Sequence, residues 1–185
     1  SAASDVYKRQ VYTGLSDYQS TINTQISDDI DRINELGNTI FKLNLEIQKV
    51  ESGNVETAMT LRDERDNALD ELASYVDISY KENSDGIVKV SVEGVEFVDE
   101  ARCYEIGKNR DEITGFVTPY WTHLSDIENG DYDNVFSFTT PISSDLNNDL
   151  GELKALILAR GDRKATYKDI VGLTSDEYNL SLIHI

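Results

Sequence analysis

LRDERDNALDELASYVDISY, residues 61–80, holds two different periods in one uninterrupted run. Up to Tyr75 it places Leu61, Leu69 and Leu72 on one helical face, with Ala68 beside them, and sets its charged residues on the other. From Val76 the period becomes two, with Val76, Ile78 and Tyr80 alternating with polar residues. No glycine or proline separates the two patterns. A helix that passes straight into a strand predicts an α+β chain, and the remaining sequence is read outward from this junction.

Upstream, Ser16 to Val50 is helical in pattern. Ile33, Leu36, Ile40, Leu43, Ile47 and Val50 recur at alternating steps of three and four, a heptad seam that continues less regularly back through Ile22, Ile26 and Ile30. Such a helix is about 50 Å long and needs a partner helix along its length. Ser52-Gly53-Asn54 breaks the pattern, with Gly53 the expected cap, and a second helix from Val55 to Tyr75 then folds back antiparallel to the first. Arg65 falls on the second helix's apolar stripe. It either fixes register by binding a carboxylate or carbonyl, or lays its stem along the seam with its head in water; buried ion pairs gain little, so the second arrangement is expected. Ile33, Leu36, Ile40, Leu43, Ile47, Leu61, Arg65, Leu69 and Leu72 are the candidate assembly and register residues.

Downstream, Ser84-Asp85-Gly86 and Glu93-Gly94 are turns between strands at 76–80, 87–92 and 95–98. Residues 102–106, 117–121 and 135–139 have further strand character, the last two separated by a polar loop at 125–134. Pro141 to Asp145 leads into a helix from Leu150 to Arg160 carrying Leu153, Leu156 and Ile157. The expected fold is therefore α+β: a long antiparallel helical hairpin, coiled-coil-like, then an antiparallel β-rich domain and a short helix.

Residues 5–10, DVYKRQ, and 180–185, LSLIHI, are related in an unusual way. A nucleotide string encoding the first encodes the second when reverse-complemented, and it resembles a transposase end sequence used in sequencing libraries. The chain thus reads as a metagenomic reading frame truncated at both ends. The expected division is flanks at 1–10 and 180–185, a helical rod at 11–75, a β-rich outer domain at 76–145, and a helix returning toward the rod at 146–179. Without the flanks His123 is the only histidine, which excludes chemistry that needs two.

Charge and composition narrow the function classes. Asp plus Glu outnumber Lys plus Arg by 35 to 17, so nucleic acid and anionic membrane are repelled as partners. Cys103 is the sole cysteine, which rules out an intramolecular disulfide and a cysteine-rich metal site. This suits a cytosolic protein or one exported unfolded, and no Sec-type signal peptide is recognisable. The acids of residues 61–80 read as a solvated helix face, since paired-carboxylate catalysis needs two acids across a cleft. The acidic runs 126–133 and 145–149 do not follow a calcium-loop pattern: in the second, Leu150 and Leu156 stand where glycine and glutamate are required. Neither a phosphate loop nor a nucleophile elbow is present. Cys103 reads as a small apolar filler, and His123 lacks neighbouring metal-ligand types. No cofactor, metal or catalytic residue is expected.

The sequence resembles the bacterial flagellar hook-associated protein 1 family, FlgK, whose members carry segments like "DLRDQRDxLLDELSxLVDI" and a following "VxVxGxxLV". Here these read Leu61 to Asp66, Leu69 to Leu72, Val76 to Ile78, and Val90 to Val98. Ile33 to Ile47 is similar to the family's "IN…IAxLNxQI" helix. Residues Leu150 to Asp162 are similar to its "GGELKGLLEARD" helix, with Leu150 and Ala155 replacing two glycines. The resemblance implies a structural subunit that self-assembles in a ring or tube between hook and filament, not an enzyme. Its implied partners are the hook protein, the second junction protein and an export chaperone bound through a C-terminal segment not found here. It also implies an extracellular location, reached by flagellar type III export without a cleaved signal peptide. The alternative is a coiled-coil and β-domain adhesin, with Trp121, Tyr120 and Tyr132 as an aromatic binding face; a hydrolase has no motif to support it.

Overall fold

The structure, a computed structural model, describes residues 1–53, 57–138 and 151–171. Helix α1 spans Ala2–Glu51 and helix α2 spans Met59–Tyr75. Strands β1 (Ile78–Glu82), β2 (Val88–Val92) and β3 (Val95–Val98) precede β4 (Ile106–Arg110) and β5 (Val117–Trp121). Helices α3 (Glu152–Arg160) and α4 (Tyr167–Val171) follow. The architecture is the expected α+β.

Helix α1 begins well upstream of Ser16 and takes in residues 5–10, the segment set aside above as a flank; residues 180–185 lie outside the described residues. Ser1 Oγ caps its N-terminus, accepting from the Ser4 N–H at 3.2 Å. The C-terminal cap residue is Ser52, in right-handed helical conformation, one position before the expected Gly53. Helix α2 runs antiparallel to α1. Arg32 pairs with Glu71, and Glu51 pairs with Arg62, so ascending one helix descends the other. The expected start of α2 at Val55 falls outside the described residues.

The junction at Val76 shows how a helix becomes a strand without glycine or proline. The Val76 N–H still donates to the Leu72 carbonyl at 3.2 Å, yet its backbone is already extended (φ −143°, ψ 161°). Its β-branched side chain is fully buried, so packing fixes the change of direction.

Strands β1, β2 and β3 form an antiparallel meander, with Glu82 opposite Val88 at the turn and an irregularity at Val90/Ser91. Strands β4 and β5 form a separate antiparallel pair, Arg110 opposite Val117. Two strand expectations are corrected. Residues 102–105 supply only an isolated bridge from Cys103 to Val98, and the strand lies further on, at 106–110, in Gly-Lys-Asn-Arg text that carries no apolar alternation. Residues 135–138 are not a strand; Asn134 alone bridges to Tyr120, and Thr139 lies outside the described residues, as do Pro141 to Leu150. Helix α4 was not expected at all.

One apolar core joins these parts. The α1 seam from Ile22 to Ile40 packs with Ala68, Leu69 and Leu72 of α2, Val90 and Phe97 of the meander, Ile106 and Trp121 of the β-pair, and Leu153 of α3. The seam does not have a helical partner along its whole length. α2 covers the C-terminal half; strands, α3 and α4 cover the rest, with Val11 and Ile170 forming a small separate cluster. Gly37 permits the closest approach, since a Cβ there would strike the Phe97 ring and come within 2.6 Å of Cys103 Sγ.

Candidate interaction site along the long helix

The predicted register residues fall into two clusters, Ile33, Leu36, Ile40, Leu69 and Leu72 in the main core and Leu43, Ile47 and Leu61 in a smaller one, and all but Leu61 and Arg65 are simple core. Ile33, Ile40, Ile47, Leu69 and Leu72 are fully buried, Leu36 and Leu43 nearly so, and Leu61 is half-buried beside Ala58, Leu43 and Ile47. Their apolar edge is spent inside this chain.

Arg65 does not lie with its head in water. It is 2% exposed, and its Nη1 donates to Gly86 O at 2.6 Å and Asn44 Oδ1 at 2.9 Å, with Glu82 Oε1 at 3.6 Å from Nη2. Burial pulls its guanidinium below the ordinary arginine value, opposed mainly by the Glu82 charge. The gain comes from satisfying groups that would otherwise be orphaned, which the general weakness of buried ion pairs did not foretell. Asn44 completes the site: Nδ2 donates to Val88 O at 2.9 Å and Oδ1 accepts from the Val88 N–H at 3.1 Å.

Above this site Arg62 grips Glu51 in bidentate fashion (2.8 and 2.6 Å) and reaches Glu82 at 2.7 Å. Glu51 also accepts from the Ala58 N–H at 2.9 Å, satisfying a donor near the start of α2. These bonds hold the Glu51 carboxyl down at about 2. An open cleft of about 480 Å³ lies here, lined by Glu51, Arg62, Glu82, Asn83 and Asp85 among others. Glu51 and Glu82 do not form a catalytic pair, because Arg62 occupies both.

The arrangement recurs lower on α1. Asn23 Nδ2 donates to Gly115 O at 3.0 Å and Oδ1 accepts from the Val117 N–H at 2.8 Å. Arg160, 4% exposed, donates from Nη1 to Asn23 Oδ1 at 2.8 Å and Val117 O at 2.7 Å, and lies 4.7 Å from the Phe116 ring centroid. Between the two, Asn34 takes both backbone groups of Ile106, at 2.8 and 2.9 Å. Below them Gln19 donates to Arg160 O and Arg163 O and accepts from the Ala165 N–H. Each side-chain amide stands where a neighbouring strand or turn would otherwise put a peptide group, and so closes an open backbone edge. This ladder was missed in the sequence. Its signal was present as Ile22-Asn23, Ile33-Asn34 and Leu43-Asn44, an amide directly after a seam residue each time.

The remaining chemistry-bearing residues are otherwise engaged. The Cys103 thiol is pushed up to about 12 by burial and the Asp99 charge, so it stays protonated. His123 stacks on Tyr104 at 3.9 Å, and desolvation lowers it from the ordinary histidine value. Asp126 caps a short 3₁₀ turn, accepting from Asn129 Nδ2 at 2.6 Å; residues 145–149 lie outside the described residues. Trp121 is fully buried and Tyr120 nearly so, and these form no exposed aromatic face. Asp29, on α1 near Glu152 of α3, has a buried Oδ2 without a hydrogen-bond donor; desolvation and the Glu152 carboxyl raise it to about 7. Among the described residues no three His, Cys, Asp or Glu side chains converge as metal ligands, and no helix is long and apolar enough to cross a membrane.

A single long helix that pins small sheets to its side by side-chain amides and buried arginines defines a rod-type structural domain. Its family is identifiable. The description "Flagellar hook-associated protein FlgK helical domain" matches residues 7–173, and the chain belongs to this family of structural flagellar components that serve motility. The fold is similar to that of the flagellar hook junction protein FlgK from Burkholderia pseudomallei, with a TM-score of 0.56 and 21% identity over 83% of this chain. The match spans 26% of that longer protein. No curated protein matches significantly.

Proposed function

We propose that the chain is the helical-rod portion of a hook–filament junction subunit, a structural part that self-assembles in a ring or tube between hook and filament. The family match over residues 7–173 is the observation that carries this reading. The geometry supports it: the buried arginines and asparagines hold elements together, and Glu51 and Glu82 at the cleft are tied up by Arg62. In this reading the rod at 11–75 lies along the flagellar axis, the β-rich region at 76–145 faces outward, and the segment at 146–179 returns to the rod. The core seam from Ile33 to Ile47, with Leu61, Arg65, Leu69 and Leu72, sets the register that assembly needs. Its partners are further copies of itself, the hook protein, the second junction protein and an export chaperone that binds a C-terminal segment. It acts outside the cell after export without a cleaved signal peptide, and it has no enzymatic activity. Of the three aromatics the adhesin would bind with, Trp121 and Tyr120 are core, and only Tyr132, half-buried edge-on against Tyr120, is left.

Localisation tests the proposal. An epitope inserted at the exposed Ile113 turn (92% exposed) of the protein expressed in a flagellated host is followed by immunogold electron microscopy. Label confined to the hook–filament joint is expected; label spread over the cell envelope would overturn the reading and favour the adhesin.

A further inference from the structure

We propose that Asn44 with Arg65, and Asn23 with Arg160, are two copies of one docking device: a socket beside α1, completed by an arginine from a second helix, that reads the backbone of a Gly-x-Val hairpin and so fixes the register of that hairpin on α1. The inference does not depend on the flagellar reading.

The two hairpins end in the same way. After the first turn come Gly86, Ile87 and Val88; after the second come Gly115, Phe116 and Val117. Gly86 (φ 81°) and Gly115 (φ 73°) both have left-handed backbones, which side-chain-bearing residues adopt only with strain. Val88 and Val117 are each the first residue of the returning strand, paired with Glu82 and Arg110. Each valine turns its own N–H and C=O away from its hairpin partner, both toward α1 for Val88, and toward α1 and the α3 arginine for Val117.

Three backbone groups therefore need partners at each site: the glycine C=O, the valine N–H and the valine C=O. One asparagine and one arginine reach all three at both sites, with Arg110 Nη1 as an additional donor to Gly115 O at 2.9 Å in the lower one. In the upper socket Asn44 takes both valine groups and Arg65 takes the glycine carbonyl. In the lower, Asn23 takes the valine N–H and the glycine carbonyl, and Arg160 takes the valine carbonyl. The division of labour differs, but the set of groups read is the same. In both, the arginine Nη1 also donates to the asparagine Oδ1, holding the amide so that oxygen and nitrogen meet the correct backbone groups. The arginines come from different helices, α2 and α3, so the likeness is not an accident of one local segment. Asn34 is different in kind: it takes both groups of Ile106 with no arginine and no glycine.

Apolar packing alone cannot supply this register, because a greasy seam lets the aliphatic or aromatic residue and the valine that each hairpin offers slide along it. Hydrogen-bond geometry does, since a shifted hairpin leaves buried donors and acceptors empty.

Residue-resolved amide exchange by NMR on the 185-residue chain tests the proposal. Asn44→Leu is expected to accelerate exchange at Val88 and in its turn at least about tenfold, while Val117 stays protected; Asn23→Leu gives the reverse. Asn44→Asp and Asn23→Asp keep the acceptor oxygen, so they perturb the fold less, and each loosens only its own hairpin. Arg65→Lys is expected to be non-additive with Asn44→Leu and additive with Asn23→Leu. Equal loosening of both hairpins in the aspartate variants, or unchanged protection at Val88 and Val117 in the leucine variants, overturns the proposal.

Discussion

The upper and lower halves of α1 solve one problem with different means. Each must hold a β-hairpin against a smooth apolar helix face. The upper half uses charge: Arg65 has Glu82 at 3.6 Å, and Arg62 ties Glu51 and Glu82 together. The lower half uses less: Lys108 of β4 meets Asp31 of α1 at 2.7 Å, away from the socket, and the socket's own arginine has no such partner among the described residues. Among the described residues no carboxylate pairs with Arg160, whose cation rests on the Phe116 ring and carbonyl oxygens. A carboxylate partner is therefore optional for burying an arginine here, whereas oriented oxygens are not.

Removing the arginines gives the largest expected effect. Arg65→Ala and Arg160→Ala should each lose about 2–4 kcal/mol in urea unfolding, because each strands a buried carbonyl and one side of an asparagine. The halves should separate by salt. At about 1 M salt, where screening acts within about 3 Å, the destabilisation by Arg65→Ala should shrink while that of Arg160→Ala holds. Equal salt response would erase the distinction between them. Gly37→Ala comes next, at about 1–3 kcal/mol from overpacking against Phe97 and Cys103. Gly37 sits between the sockets, so this variant should lower the melting temperature without favouring either hairpin in amide exchange.

The pH response should be smaller and opposite in the two halves. Asp29 is raised from 3.8 to about 7 in the folded chain, so its contribution is fully present below about 3.8 and is lost as pH rises through about 7. The docking of α3 beside it should thus tighten on acidification from 7 to 4. Glu51 is lowered from 4.5 to about 2; its contribution is present above about 4.5 and lost as pH falls through about 2. Melting curves across pH 4–8 should follow Asp29, and Asp29→Asn should flatten them. Arg32→Ala, which removes an exposed pair with Glu71, should leave the melting temperature unchanged within error.

Much of the frame could be read from residue spacing alone. The seam from Ile33 to Val50 repeats in steps that only a helix explains, and Val76 to Tyr80 changes period within a few residues. Strand β4 was hidden because its edge is satisfied by Asn34, so it needs no apolar alternation to persist. Helix α4 is a five-residue segment, too short for periodicity to register. Arg65 was misjudged because the energetics of ion pairs were weighed where a carbonyl was the principal partner. The asparagines were legible as letters but not as partners, since nothing local distinguishes an amide aimed at a distant strand from one aimed at water.

Asn23 and Asn44 stand 21 residues apart on an unbroken helix, about six turns and about 31 Å. That interval behaves like the pitch of a threaded axle. Adding or deleting a single residue within it would swing one hairpin seat by about 100° around the shaft relative to the other. Length changes can therefore accumulate freely in the hairpin tips, whereas the shaft between its two seats can change only in near-whole revolutions.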